Sequence, residues 1–266
     1  MNQTERIPAL SMSLRARLIE KVVWQMRARA ERELGDIDRV RKDFEFVGRY
    51  QPRPSGVRVS QREINGVPVE GLTPRVTNPG RALMYLHGGG YVIGSPRTHR
   101  AFAMTLAKAL AAEVWVPDYR LAPEHPFPAA LDDVWAVYSE VAQDRPTVII
   151  GESAGGGLAL SLVRRVLDRG GNAPKGLVTM FPWADLTNSS DSFMSNERRD
   201  VLSREGLSRS AVAYAGDCDL KMPLVSPLYG SFAGFPRTLV VVGTHDSLLD
   251  DSRKVSARMC AAGVDA

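Results

Sequence analysis

The sequence predicts an α/β fold built on a mostly parallel central sheet with helices on both faces. Three observations carry this. Short apolar runs recur at Ala82–Leu86, Val114–Pro117, Val148–Ile150, Leu177–Phe181 and Leu239–Val242. Apolar helical stretches lie between most of them, near residues 98–111, 128–142, 155–169 and 203–215, with a fifth near 247–262. The strands read as continuously apolar rather than alternating, which fits a parallel sheet covered on both sides.

The remaining elements follow in chain order. Residues 8–50 read as helical, with Leu14, Leu18, Val22 and Met26 forming one apolar stripe. From about residue 57 the period changes: Val57, Val59, Val67 and Val69 alternate with polar residues around Asn65-Gly66, a strong hairpin signal. The gap between Phe181 and Leu239 exceeds one crossover helix and is expected to carry an insertion, with 185–200 polar and loop-like. After the last helix, Gly263 suits the C′ position, so another strand is expected next. The chain stops at Ala266, and the final unit reads as cut off there.

At 266 residues, 44% hydrophobic and 24% charged, the chain has the length and composition of one large globular α/β domain. No apolar run approaches the ~20 residues of a membrane helix. Residues 1–17 lack the apolar stretch of a secretory signal, so a cytoplasmic location is expected. Cys218 and Cys260 are too few and too far apart for a zinc framework. The formal charge of +4 is concentrated in residues 1–60, with 13 Lys/Arg against 8 Asp/Glu. There Arg15, Arg17, Lys21, Arg27, Arg29 and Arg32 share helical stretches with Glu20, Glu31 and Glu33, which suits a solvated helix face. No nucleic-acid recognition motif accompanies them, so no nucleic-acid partner is expected.

Four segments carry chemistry. Gly151-Glu152-Ser153-Ala154-Gly155 is a G-x-S-x-G pentapeptide between the strand ending at Ile150 and the helix starting near Gly156. That context places Ser153 on a sharp strand-to-helix turn, its hydroxyl above the sheet and the helix N-terminus aimed at it. Without that chemistry, the same residues would be a glycine-rich turn packing closely. His87-Gly88-Gly89-Gly90 follows the strand Ala82–Leu86. Its backbone N–H groups are suited to stabilising a developing oxyanion, with Gly88 and Gly89 the expected donors and Ala154 N–H the third. His87 is expected to brace this loop. The absence of Gly-Lys-Ser/Thr and G-x-G-x-x-G motifs argues against nucleotide binding.

Gly243-Thr244-His245-Asp246 ends the strand Leu239–Val242, on the same rim as Ser153. Asp246 is the candidate acid to orient an imidazole; Asp185 is a weaker candidate, and Asp250 and Asp251 read as helix N-terminal charge. Residues 118–126, with paired charges and prolines, read as a rigid, ion-paired scaffold loop.

Together these segments resemble the hormone-sensitive-lipase-like branch of the α/β-hydrolase fold, which includes bacterial carboxylesterases and arylacetamide deacetylases. The matching text is HGGGYVIGSPRTH, VPDYRLAPEHPFPAAL, GESAGGGLAL, SPLYG and GTHDSLLDD, over roughly residues 55–266. The resemblance implies a helical cap segment at residues 1–50 and a catalytic domain at 51–266. It implies Ser153 as nucleophile, Asp246 as triad acid, and Gly88, Gly89 and Ala154 as the oxyanion hole. It implies a short- to medium-chain acyl ester as substrate, with no metal or organic cofactor. Trp24 and Met26 could line an acyl pocket, although core packing suits them equally.

One departure stands out. The family places its catalytic histidine after the acid, beyond one further strand, whereas His87, His99, His125 and His245 all precede Asp246. The expected base therefore lies beyond residue 266. Without that strand, Leu239–Val242 would be an unpaired apolar edge that invites self-association. Two other functions share the motifs. One is a catalytically dead small-molecule binder, as in plant gibberellin receptors, which resemble this family but lack the triad histidine. The other is an amide deacetylase, whose leaving group leans harder on the histidine.

Overall fold

The computed structural model describes residues 36–143 and 145–266, together with Ser13 and Arg17. The helical stripe Leu14–Met26, Trp24 and most of the cap segment lie outside the described residues. Seven strands and seven α-helices are described: α1 (Ile37–Arg49), β1 (Val57–Ile64), β2 (Val67–Pro74), β3 (Ala82–Leu86), α2 (Pro96–Leu110), β4 (Glu113–Pro117), α3 (Ala129–Val141), β5 (Thr147–Glu152), α4 (Ala154–Asp168), β6 (Gly176–Met180), α5 (Asp191–Ser195), α6 (Arg204–Ala215), β7 (Thr238–Val241) and α7 (Leu249–Ala261).

The strands form one sheet in the order β1-β2-β4-β3-β5-β6-β7. The pairs β1/β2 and β2/β4 are antiparallel, and the other four pairs are parallel. The hairpin forms where expected, with Asn65 at φ 50° and Gly66 at φ 81°. Both central residues are left-handed, as a type I′ turn requires.

Side-chain alternation divides the core between the two sheet faces. Leu83, Tyr85, Val114, Val116 and Ile150 pack with Ala103, Met104 and Ala107 of α2 on one face. Met84, Leu86, Trp115, Ile149 and Leu177 face α3 and α4 on the other, with Leu131, Val134, Leu158 and Leu162. The strand-loop-helix alternation thus yields the two-sided sheet that the sequence predicts.

The insertion between β6 and β7 holds α5, α6 and a short 3-10 turn at Pro227–Tyr229. The stretch read as loop from 185 to 200 contains α5 because its exposed start is stabilised from outside: Ser192 N–H donates to Asp250 at 2.8 Å. β7 is the edge of the described sheet, and Leu239 and Val241 are exposed. At its start, Thr238 N–H donates to Asp265 O at 2.9 Å.

Candidate active site

Ser153 follows β5 with φ 52° and ψ −123° and is the N-cap of α4. A non-glycine residue held there carries backbone strain, a common feature of functional turns. The turn is locked by backbone bonds: Ser153 N–H donates to Met180 O at 3.0 Å, and Trp183 N–H donates to Ser153 O at 2.9 Å. Close packing dictates the flanking glycines. A Cβ at Gly155 would lie 2.2 Å from Leu86 O, and one at Gly151 would lie 2.2 Å from Gly155 O. No other residue fits either place without backbone movement.

The glycine loop begins where β3 ends, beside β5, so it lies next to the Ser153 turn. Gly88 N–H does not point freely as expected: it donates to Glu152 Oε1 at 2.8 Å. Gly89 and Gly90 N–H donate to no group among the described residues. Gly90, which the sequence reading passed over, is therefore a better donor candidate than Gly88. The competing bond from Glu152 could not be read from the motif. Ala154 N–H is a first-turn helix amide with no partner in the α4 ladder.

The loop is supported on several sides. His87 is fully buried, and its Nδ1 donates to Gly88 O at 2.8 Å. Tyr119 OH donates to His87 O at 2.7 Å, and the two rings stack at 4.3 Å. Burial, followed by repulsion from His99, pushes the His87 imidazole down to about 3, so it stays neutral and braces the loop as expected. Tyr91 stacks on Tyr214 of α6, which joins the loop to the insertion.

His99 on α2 lies 3.0 Å from Glu152 Oε1, and Tyr85 OH donates to the same oxygen at 3.3 Å. Burial pushes the Glu152 carboxyl up, but the His99 contact and Gly88 N–H outweigh it and hold the group below its ordinary value.

Asp246 sits in the loop after β7, two strands from β5 in the sheet order. Its Oδ1 accepts from Leu248 N–H at 2.8 Å. Burial, together with the charges of Asp200 and Asp251, pushes its carboxyl up to about 6. The loop is gripped by the insertion. Asn196 Nδ2 donates to Asp246 O at 2.9 Å, Ser247 N–H donates to Asp200 at 2.6 Å, and Ser192 OH donates to Ser247 O at 2.8 Å.

The other acids have structural partners. Asp185 accepts from Thr187, Ser189 and Tyr229. Asp251 stands in the first turn of α7, as expected, but it is also buried and accepts from Ala184 N–H, Asp185 N–H and Ser190 OH, because the insertion folds over its side chain. Asp250 likewise accepts from Ser192 N–H across to α5. In residues 118–126, Arg120 pairs with Asp133 and Glu124 with Arg41, which makes the loop the ion-paired scaffold expected. His125 and His245 are exposed. No hydrogen bond joins Ser153 to a histidine among the described residues.

No described helix is long and apolar enough to cross a membrane. Among the described residues no group of three or more His, Cys, Asp or Glu side chains is arranged to hold a metal ion.

Residues 83–266 match the family described as alpha/beta hydrolase fold. The chain is 37% identical over 189 residues to an acetyl-hydrolase of Streptomyces hygroscopicus, covering 69% of this chain and 63% of that one. It is 36% identical over 213 residues to an esterase of Acinetobacter venetianus, covering 77% of this chain and 70% of that one. A crystal structure of an esterase from the bacterial hormone-sensitive lipase family superposes with a TM-score of 0.88 at 35% identity, over 96% of this chain and 87% of that one. With the Ser153 turn, the glycine loop and the loop after β7 on one rim of a matching sheet, the chain belongs to the α/β-hydrolase fold family, in its hormone-sensitive-lipase-like branch.

Proposed function

We propose that the protein is a serine carboxylesterase acting on short- to medium-chain acyl esters, with Ser153 as nucleophile. The observation that carries this reading is the strained conformation of Ser153 at the junction of β5 and α4, next to a glycine loop with free amides. The curated relatives named as esterases and acetyl-hydrolases support the reaction class.

Ser153 Oγ attacks the ester carbonyl carbon and gives its proton to an imidazole. Gly89, Gly90 and Ala154 N–H receive the charge that develops on the carbonyl oxygen, each such donor being worth roughly 3 kcal/mol. Collapse expels the alcohol, which takes the proton back, and water then releases the acyl group by the same route. Asp246 orients the imidazole. The four histidines at 87, 99, 125 and 245 are buried, paired or exposed elsewhere, so the reading assigns the base to a residue outside the 266. The arrangement calls for no metal or organic cofactor.

Cys218 and Cys260 form no disulfide among the described residues, and the reading keeps the cytoplasm as the location. The exposed edge of β7 supports self-association, and a monomer by light scattering would count against it.

The test is hydrolysis of p-nitrophenyl butyrate by this chain and by its Ser153→Ala variant, each with and without the sequence that follows residue 266 in the gene. Turnover that needs Ser153 and rises sharply in the longer form supports the esterase with an external base. Background rates in every form overturn it. They favour the second reading, a small-molecule binder on the same fold. A matched ester and amide pair separates esterase from amide deacetylase.

A further inference from the structure

We propose that Glu152 is a positioning residue for the oxyanion loop. The His99–Glu152 pair clamps Gly88, and the clamp fixes where the amides of Gly89 and Gly90 point. The inference rests on the esterase reading of Ser153.

Glu152 is the last residue of β5, immediately before Ser153. A single oxygen, Oε1, faces three groups: Gly88 N–H at 2.8 Å, His99 Nε2 at 3.0 Å and Tyr85 OH at 3.3 Å. A charge-assisted bond of this kind is about twice as strong as a neutral one. Gly88 is also held from its other end, since His87 Nδ1 donates to Gly88 O at 2.8 Å. Both backbone groups of Gly88 are therefore fixed, one of them to the residue that precedes the nucleophile. The nucleophile turn and the donor loop come from different strands, and this contact ties them together.

The fit leaves no slack. A Cβ at Gly88 would lie 2.9 Å from Glu152 Oε1. A lone carboxylate at this place would also oppose negative charge growing on the substrate oxygen. His99 answers that by setting a ring N–H donor against the carboxylate, and its ring is stacked against His87 at 5.2 Å. The other ring nitrogen of His99 is held at 2.8 Å by Thr98 Oγ1, in the capping box that starts α2. The clamp thus runs from the start of α2 through His99 and Glu152 to Gly88.

The test uses the full chain labelled with ¹⁵N-glycine, as wild type, Glu152→Gln and Glu152→Ala. Amide exchange at Gly88, Gly89 and Gly90 is measured by NMR, and p-nitrophenyl butyrate kinetics are measured alongside. Glutamine keeps an acceptor for Gly88 and loses the carboxylate charge, so exchange should rise modestly. Alanine should raise it about tenfold or more while far-UV circular dichroism stays native. In Glu152→Ala, kcat should fall about 10²-fold with KM little changed, the signature of a lost transition-state contact.

Unchanged exchange in a folded variant overturns the proposal, as does faster exchange with unaltered kcat. Should the alanine variant not fold, Glu152→Gln alone decides by the same two criteria. Absence of Ser153-dependent turnover in the wild type, with the sequence that follows residue 266 included, would sink the esterase reading. The exchange arm would still decide whether Glu152 holds the loop.

Discussion

Arg41 grips Glu124 through both ends of its guanidinium, Nη1 to Oε1 at 2.6 Å and Nη2 to Oε2 at 2.8 Å. The same side chain donates to Val92 O and Ala122 O, each at 2.8 Å. One residue on α1 therefore ties three segments together: the helix itself, the end of the glycine loop and the scaffold loop at 118–126.

Arg41→Lys keeps the charge but cannot reproduce the fork or reach both carbonyls. It should cost about 1–2 kcal/mol in urea unfolding, because two carbonyls lose their donor. Glu124→Gln should cost under about 1 kcal/mol, since that carboxylate is half exposed and screened. The Arg41 contact holds the Glu124 carboxyl at about 2, below the ordinary 4.5. A depressed acid contributes stability above the ordinary value and loses it as pH falls. The difference between wild type and Glu124→Gln should therefore shrink between about pH 4.5 and 2. Equal losses for both variants at neutral pH would contradict the assignment of the larger share to the carbonyl contacts.

Tyr91 and Tyr214 stack at 3.7 Å with planes 8° apart, and both are buried. Tyr214→Ala should cost about 3–5 kcal/mol through the cavity it leaves. Tyr214→Phe keeps the stacked ring and should cost far less. Chemical denaturation of both variants checks the order.

At the Ser153 turn, Gly155→Ala would drive a methyl to 2.2 Å from Leu86 O and 2.4 Å from His87 O. Both obstacles are backbone, so the strain has no cheap outlet, and the variant should lose more than about 3 kcal/mol or fail to fold. Ser153→Gly should do the opposite. It relieves the φ of 52° but loosens the unfolded chain, for a net gain of about 1 kcal/mol at most. Thermal melts that rank Ser153→Gly below wild type would contradict the strain argument.

Local patterns carried most of the fold. The five parallel strands and their helices were legible because each is a short apolar run or an amphipathic stretch, bounded by Gly, Pro or a cap such as Ser95. The Asn65-Gly66 turn was legible because few residues accept two successive left-handed positions. What depended on partners distant in sequence was not legible. Asp251 reads as helix-start charge, yet residues 184, 185 and 190 surround it. The N–H of Gly88 reads as free until Glu152, 64 residues later, takes it. The short helix α5 exists because Asp250 and Ser192 meet across the insertion. The pentapeptide named Ser153 because the turn itself demands small neighbours, whereas no local pattern could say which glycine amides stay unpaired.

Asp246 shows the stability cost of a buried carboxyl. Burial pushes its carboxyl up to about 6 against an ordinary 3.8. An acid with a raised folded value favours the fold only while protonated. Its contribution is fully present below about pH 4, is lost as pH rises to about 6, and stays lost above that. Asp246→Asn removes the charge and keeps an oxygen for Leu248 N–H. The variant should therefore be more stable than wild type at pH 7 by about 1–3 kcal/mol, the upper end being the full shift. In a domain of this size that is a Tm increase of several degrees. The gain should vanish below about pH 4, where both side chains are neutral. Asp251, also pushed up to about 6, titrates in the same window in both proteins, so the difference between the two melts isolates Asp246. Wherever ester turnover depends on Ser153, the variant should lose about 10⁴-fold in kcat. Greater stability together with lost activity would mark Asp246 as an acid held for chemistry. Lower stability at pH 7 would mean that its carboxylate is instead a structural anchor for the loop after β7.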